Sequence, residues 1–379
     1  LLALVFAWVV AGPPWHIGSR VGPVDFHEQA HLGGIQGLWN GYLPYTGPAS
    51  NMYGPGSQLA IFEVMRHSTG FDIVSFRGGF AALHLSALIV TGLAAAWMLG
   101  PMEMVAVLVI GTFWGPLAFF RFDADGILAG FWGWANAMRY VGPLLVAPGA
   151  ALAAMRARGI MPTIALGIWW GLTSWISQEN LATTLSATTF VLGILWTTET
   201  ARWRPIAVTG AGLTAGFLVI WIPLLSFYAF HGAAANFVTN FLAVPSAVSA
   251  GYLNSWWIHE PNNAYRFTVI FIVLVGWLVL VDWPNRRLRT HLSEAQVLLL
   301  SYVAVLAACY QTALHRADHS HLVNTMIAVP FVIVLALRDA PAWTADGRMR
   351  RLGVRVAILV LSISIFPLSP LLRNPVSTV

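Results

Sequence analysis

Apolar residues along this chain come in long unbroken blocks, not in the alternating or one-sided patterns of half-buried strands and helices. Runs long enough to span lie near 72–99, 102–120, 137–155, 160–177, 181–198, 205–228, 264–283, 295–314, 322–338 and 352–370, and a helical bilayer crossing takes about 20 residues. Leu1–Ala11 adds a shorter apolar stretch. It reads as the outer end of a first transmembrane helix whose start is missing, and the chain stops soon after its last run, so both ends are expected to be truncated. The expected fold class is an all-α polytopic membrane protein: one transmembrane domain over residues 1–379 with about eleven transmembrane helices.

Charge between the blocks gives the orientation. Arg156 and Arg158, then Arg202 and Arg204, then Arg286, Arg287 and Arg289, then Arg338 to Arg351 fall in alternate loops. By the positive-inside rule those loops are cytoplasmic. The loop at 100–101 should join them but carries no Arg, which makes the second and third helices the weakest part of the scheme. The outward loops hold Asp25, Glu28, Glu63, Asp123, Asp125, Glu179, Glu260 and Asp318, and every histidine except His84 and His291.

Composition agrees with this picture. The chain is 58% hydrophobic and 9% charged, a membrane protein's balance. Its basic residues are all Arg, and its net charge of +5 reflects topology, so no nucleic acid is expected as a partner. The single Cys309 lies in an apolar run and reads as a core residue, without a disulfide framework.

Candidate chemistry is densest in the first outer loop. Asp25, His27, Glu28 and His31 stand within seven residues of one another, where charge is costly unless it is used. A helix from about Asp25 to Trp39 would place Asp25–Glu28 and Glu28–His31 as i,i+3 pairs, with Phe26, Ala30 and Leu38 on the apolar side. A second short helix at Ser57–His67 is expected along the interface, and Phe241–Trp257 could lie there too. Asp25 and Glu28 can hold a divalent cation or take a proton from a hydroxyl; the plainer reading is an exposed acidic helix start. The same letters contain His27-Glu28-x-x-His31, which matches a zinc-protease pattern, although Gly33-Gly34 weakens the helix that would present it.

A second constellation, His315-Arg316-Ala317-Asp318-His319-Ser320-His321, fills a tight late outer loop. Arg316 suits phosphate oxygens through its planar fork; the alternative is a polar hairpin with Arg316–Asp318 pairing. Asp123 and Asp125 form a D-x-D pattern. Glu179, in the S-Q-E-N turn, is a helix-cap group or a pocket carboxylate. Arg139 could approach a lipid phosphate, or snorkel.

The acidic D-F-H-E opening of the first outer loop, W-N-G-Y-L-P-Y, Y-G-P-G and the late H-R-A-D-H-S-H-L together resemble multi-spanning glycosyltransferases of the GT-C class. That resemblance implies a cell-envelope enzyme. It would move a sugar from a polyprenyl-phosphate lipid to a glycan, lipid or protein acceptor on the outer or periplasmic face of the plasma membrane. It implies Asp25 as base or metal ligand with Glu28 beside it, and Mg or Mn as the cation, for which Asp123 and Asp125 are further candidates. Arg316, His319 and Arg139 would face the donor phosphate, with Asp318, His321, Glu179 and His27 as other pocket residues. Two alternatives stay open: a polytopic transporter or flippase for a lipid-linked or small solute, and a zinc metalloprotease. A transporter would place its ionisable groups near the bilayer midplane, whereas most acids here collect on one side.

Overall fold

The computed structural model describes residues 26–49, 54–114, 121–122, 128–129, 137–198, 203–249, 263–282, 287–314, 325–343, 355–356 and 360. Its long elements are α1 (Phe26–Trp39), α2 (Pro55–Arg66), α3 (Ile73–Met98), α4 (Pro101–Trp114), α5 (Gly142–Met155), α6 (Ile160–Ile176), α7 (Gln178–Thr197), α8 (Trp203–Phe230), α9 (Ala234–Ser249), α10 (Asn263–Leu280), α11 (Glu294–Leu314) and α12 (Val329–Trp343). Short 3-10 turns stand at Gly47–Ala49, Ala137–Tyr140 and Met326–Ala328. Two antiparallel ladders of two residues a side pair β1 (Arg121–Phe122) with β2 (Leu128–Ala129) and β3 (Val281–Asp282) with β4 (Arg287–Leu288).

Local chemistry explains the helix starts. The Asp72 carboxylate accepts from the backbone N–H groups of Val74 (2.8 Å) and Ser75 (2.9 Å) and so caps α3. Proline stands at the start of α2, where its missing N–H costs nothing. Gly232, with φ of +65°, takes the left-handed turn that ends α8, and α9 begins directly afterwards. That helix therefore starts several residues before the expected interfacial segment at Phe241–Trp257, whose later part lies outside the described residues. The two short helices expected in the first loop form as α1 and α2.

Among the described residues, four helices are long and apolar enough to cross a membrane: Ile73–Met98, Met138–Met155, Trp203–Phe230 and Glu294–Gln311. Each falls on an expected run. Pro101–Gly111, Ile160–Ile176 and Arg266–Leu280 are apolar but shorter. The expected count of about eleven crossings draws on runs that lie partly outside the described residues.

α6 and α8 touch backbone to backbone. A Cβ on Gly212 would stand 1.9 Å from Thr163 Oγ1, one on Gly216 2.1 Å from the Ile164 carbonyl, and one on Gly167 2.2 Å from the Leu213 carbonyl. Small residues permit such closeness between membrane helices. Residue numbers rise together across this seam, so the two helices run parallel, as alternating loops require. α8 also exposes Val219, Ile222 and Phe227, apolar surface that suits lipid.

The Arg-rich ends are also tied together. The Arg156 guanidinium grips the Glu294 carboxylate at the start of α11, with Nε donating to Oε1 at 2.7 Å. Arg338 donates to the Leu99 carbonyl and to Glu103, both at 3.3 Å. The loop at 100–101, which lacks an Arg of its own, thus sits against Arg338 and shares its end of the bundle. Cys309 is buried in the main core, as expected. α3 also buries Arg77, His84 and Thr91 at seven-residue intervals.

Candidate functional site

The S-Q-E-N turn joins α6 to α7, and each of its four side chains does a separate job. Ser177 has extended backbone, and its hydroxyl oxygen accepts from the Glu179 N–H at 3.2 Å, capping α7. The same hydroxyl donates to the Glu179 carboxylate. Gln178 Nε2 donates to the Tyr45 hydroxyl at 3.1 Å, reaching back to the first loop. Glu179 pairs with Arg139 Nη2.

Asn180 completes the set and is fully buried. Its Oδ1 accepts from the Gly142 N–H at 2.8 Å; its Nδ2 donates to the Met138 carbonyl at 2.8 Å and the Thr173 carbonyl at 3.0 Å. Both backbone flanks of Arg139 are therefore pinned by one side chain. Gly142 has to be glycine for this, because a Cβ there would lie 2.7 Å from Thr173 Oγ1 and 3.0 Å from Asn180 Oδ1.

Arg139 is 8% exposed and lies over the Tyr140 ring at 5.5 Å. Burial pushes the Glu179 carboxyl up. The Arg139 charge and hydrogen bond and the Ser177 hydroxyl outweigh it, so the group sits below its ordinary value and stays ionised. Burial and the Glu179 charge push the Tyr45 hydroxyl up, against hydrogen bonds from Gly54 and Gln178, so it stays neutral. The result is a buried cation, fixed in direction by a carboxylate and tied to the first loop.

Of the residues singled out from the sequence, the structure brings Arg139 and Glu179 together. Glu28 and His27 stand on α1, one turn before His31. Asp25, Asp123, Asp125, Arg316, Asp318, His319 and His321 lie outside the described residues, and β1 and β2 bracket the D-x-D pair in sequence. His31 is buried, with its ring edge on Phe80 (centroids 4.9 Å apart) and Phe76 at 6.5 Å. Among the described residues no three His, Cys, Asp or Glu side chains are placed to hold a metal, and nothing there supports the zinc reading. Sequence reasoning missed Tyr45, Gln178 and Asn180. The available signal was four consecutive polar letters wedged between two apolar runs.

Solved structures that share this fold include two of an archaeal oligosaccharyltransferase. One is the archaeal oligosaccharyltransferase AglB from Archaeoglobus fulgidus in complex with an inhibitory peptide and a dolichol-phosphate, with a TM-score of 0.54 at 12% identity over 96% of this chain and 54% of that one. The other is the oligosaccharyltransferase of the same organism in its apo form, with a TM-score of 0.54 at 11% identity over 96% and 55%. The chain thus spans about half the length of these proteins. No protein-family model matches the sequence, and no curated protein does. At such identities the likeness is one of fold. Oligosaccharyltransferases are glycosyltransferases of the GT-C type, so the fold is the one that the sequence resemblance implied.

Proposed function

We propose that the chain is a membrane glycosyltransferase. It takes a sugar from a polyprenyl-phosphate lipid and passes it to a glycan, lipid or protein acceptor at the outer face of the plasma membrane. In this architecture about eleven crossings carry the S-Q-E-N turn and the first loop to the same outer surface. Fold alone fixes no chemistry. The observation that carries the reading is the buried Arg139–Glu179 pair, locked to the first loop within a fold seen elsewhere with a dolichol-phosphate.

The acceptor hydroxyl attacks the sugar C1. Its proton passes to Asp25, with Glu28 beside it, while the C1–O bond to phosphate breaks and that electron pair leaves on the phosphate. A base of this kind contributes roughly 100- to 10,000-fold. Arg316, His319 and Arg139 neutralise the departing phosphate, and losing one such contact costs about 3–4 kcal/mol. Glu179 aims Arg139; Asp318, His321 and His27 complete the pocket. Asp25, Glu28, Asp123 and Asp125 offer carboxylate oxygens, the donors that suit Mg or Mn, and a bound cation would add positive charge beside the phosphate.

Purified full chain in nanodiscs, given a radiolabelled polyprenyl-phosphate hexose, tests the reading. Asp25→Asn should abolish transfer while donor binding persists, and Arg316→Ala should weaken both. His27→Ala and His31→Ala should hurt less. Dead histidine variants beside an active Asp25→Asn, or no consumption of any lipid-phosphosugar, would sink it.

A further inference from the structure

We propose that Tyr45 is a positioning residue that holds α1 and the first loop in register with the Arg139–Glu179 turn; this rests on the glycosyltransferase reading. Four parts of the chain meet at this one side chain and its backbone. The hydroxyl oxygen accepts from the Gly54 N–H at the start of α2 and from Gln178 Nε2 at the start of α7. The Tyr45 carbonyl accepts from Asn240 Nδ2 of α9 at 2.7 Å, and its N–H donates to the Ala49 carbonyl at 3.1 Å. One residue earlier, the Pro44 carbonyl accepts from the Tyr228 hydroxyl of α8 at 2.8 Å. The ring is fully buried between Phe237 and Phe241, at 6.1 and 6.3 Å.

The backbone conformation adds an independent observation. Tyr45 has φ of +61°, a region that residues with a Cβ avoid and glycine adopts freely. Such strain persists only where surrounding contacts over-determine it. Glycine would relieve it but would surrender the hydroxyl that joins α2 to α7. Strain is thus kept at a point where several parts of the chain converge. The link also leads somewhere specific: Gln178 is the chain neighbour of Glu179, and α1 ends six residues before Tyr45. A shift of the loop therefore changes the spacing between the helix that carries Glu28 and the turn that aims Arg139.

Positioning makes a different prediction from support of the fold alone. Misplacing a reacting group by about 1 Å can cost on the order of 100-fold in rate, whereas a loosened fold lowers activity only through the folded fraction. Two variants in the full chain in nanodiscs test this. Tyr45→Phe removes both hydroxyl links. Gln178→Leu removes one and leaves the Gly54 contact, so it covers the case in which Tyr45→Phe fails to fold. Spin labels at the exposed positions Tyr42 and Leu185 report the spacing of the loop from α7, and transfer from a polyprenyl-phosphate hexose gives kcat and the donor KM. The expected result is a broadened label distance with kcat down about 10- to 100-fold and a donor KM within about 2-fold of wild type. A folded variant that keeps its kcat, or loses it without any change in the distance, overturns the proposal. If the wild-type chain transfers no sugar, the enzyme reading falls; an unchanged distance in the folded variants then refutes the register, and a broadened one supports it.

Discussion

Replacing Glu179 with glutamine removes a charge and keeps the shape, which isolates the electrostatics of the turn. In the native protein the carboxylate is ionised and its partner Arg139 is almost wholly buried. At an effective dielectric of about 20, unit charges about 4 Å apart attract by roughly 4 kcal/mol. Removing one member of a buried pair costs about 3–5 kcal/mol, because the other charge stays behind uncompensated. The glutamine carbonyl still accepts from Arg139, so the expected loss is near the lower end, about 3 kcal/mol. The pH dependence follows from the lowered carboxyl pKa. Stability from such a group is fully present above the unfolded-state value and disappears as pH falls through the folded-state value. The gap between wild type and Glu179→Gln should be flat around neutrality and close below about pH 4. Denaturant titration in bicelles at a series of pH values measures this. The double variant Arg139→Gln/Glu179→Gln should recover part of the loss, since no charge is then stranded. A single variant within about 0.5 kcal/mol of wild type at pH 7, or a gap that widens on acidification, refutes the reasoning.

Two further expectations concern the framework around the site. Gly54 has φ of +92°, and a Cβ there would stand 2.4 Å from the Ile176 carbonyl, which accepts from the Ser57 hydroxyl at 2.7 Å; Gly54→Ala should therefore cost about 2–4 kcal/mol in the same titration and loosen that hydrogen bond. Asp72→Ala should cost about 1 kcal/mol through loss of the α3 cap, read as faster amide exchange at Val74 and Ser75. Hydrogen bonds from Thr69 and Ser75 hold the Asp72 carboxyl below its usual value, so the cap should survive mild acid and fail only at lower pH.

Much of the scaffold was legible because its signals are local. Asp72 announces the start of α3, Gly232 the end of α8, and block apolarity marks Ile73–Met98 and Trp203–Phe230 as crossings. The loop at 100–101 was the weak point of the charge pattern because its cation is supplied from a distance, by Arg338. The candidate site was legible in part, for the same reason. Glu179 and Arg139 stood out as rare charges, but nothing in sequence says that they pair across forty positions. Tyr45, Gln178 and Asn180 were invisible as a set: a tyrosine among eighteen tryptophans and twenty-one phenylalanines gives no hint of which hydroxyl is fixed by residues far along the chain. The strained backbone at Tyr45 has no signature either, since a φ above zero is forecast only where glycine or asparagine stands.

The seam between α6 and α8 gives the bundle a strut. Because backbone meets backbone at Gly167 and Gly216, and Gly212 closes on the short Thr163 side chain, little side chain lies between the two helices to absorb a displacement. Whatever tilts one tilts the other. The strut reaches the candidate site at both tips: α6 delivers Ser177 about 15 Å above Gly167, and α8 delivers Tyr228 to the loop at Pro44. A bulky residue placed mid-membrane in that seam would act as a wedge. The change in angle would be felt at the turn and the loop together, without touching any side chain of the candidate site. Inherited or engineered changes that silence this protein should therefore occur deep in the apolar interior as well as among its charges.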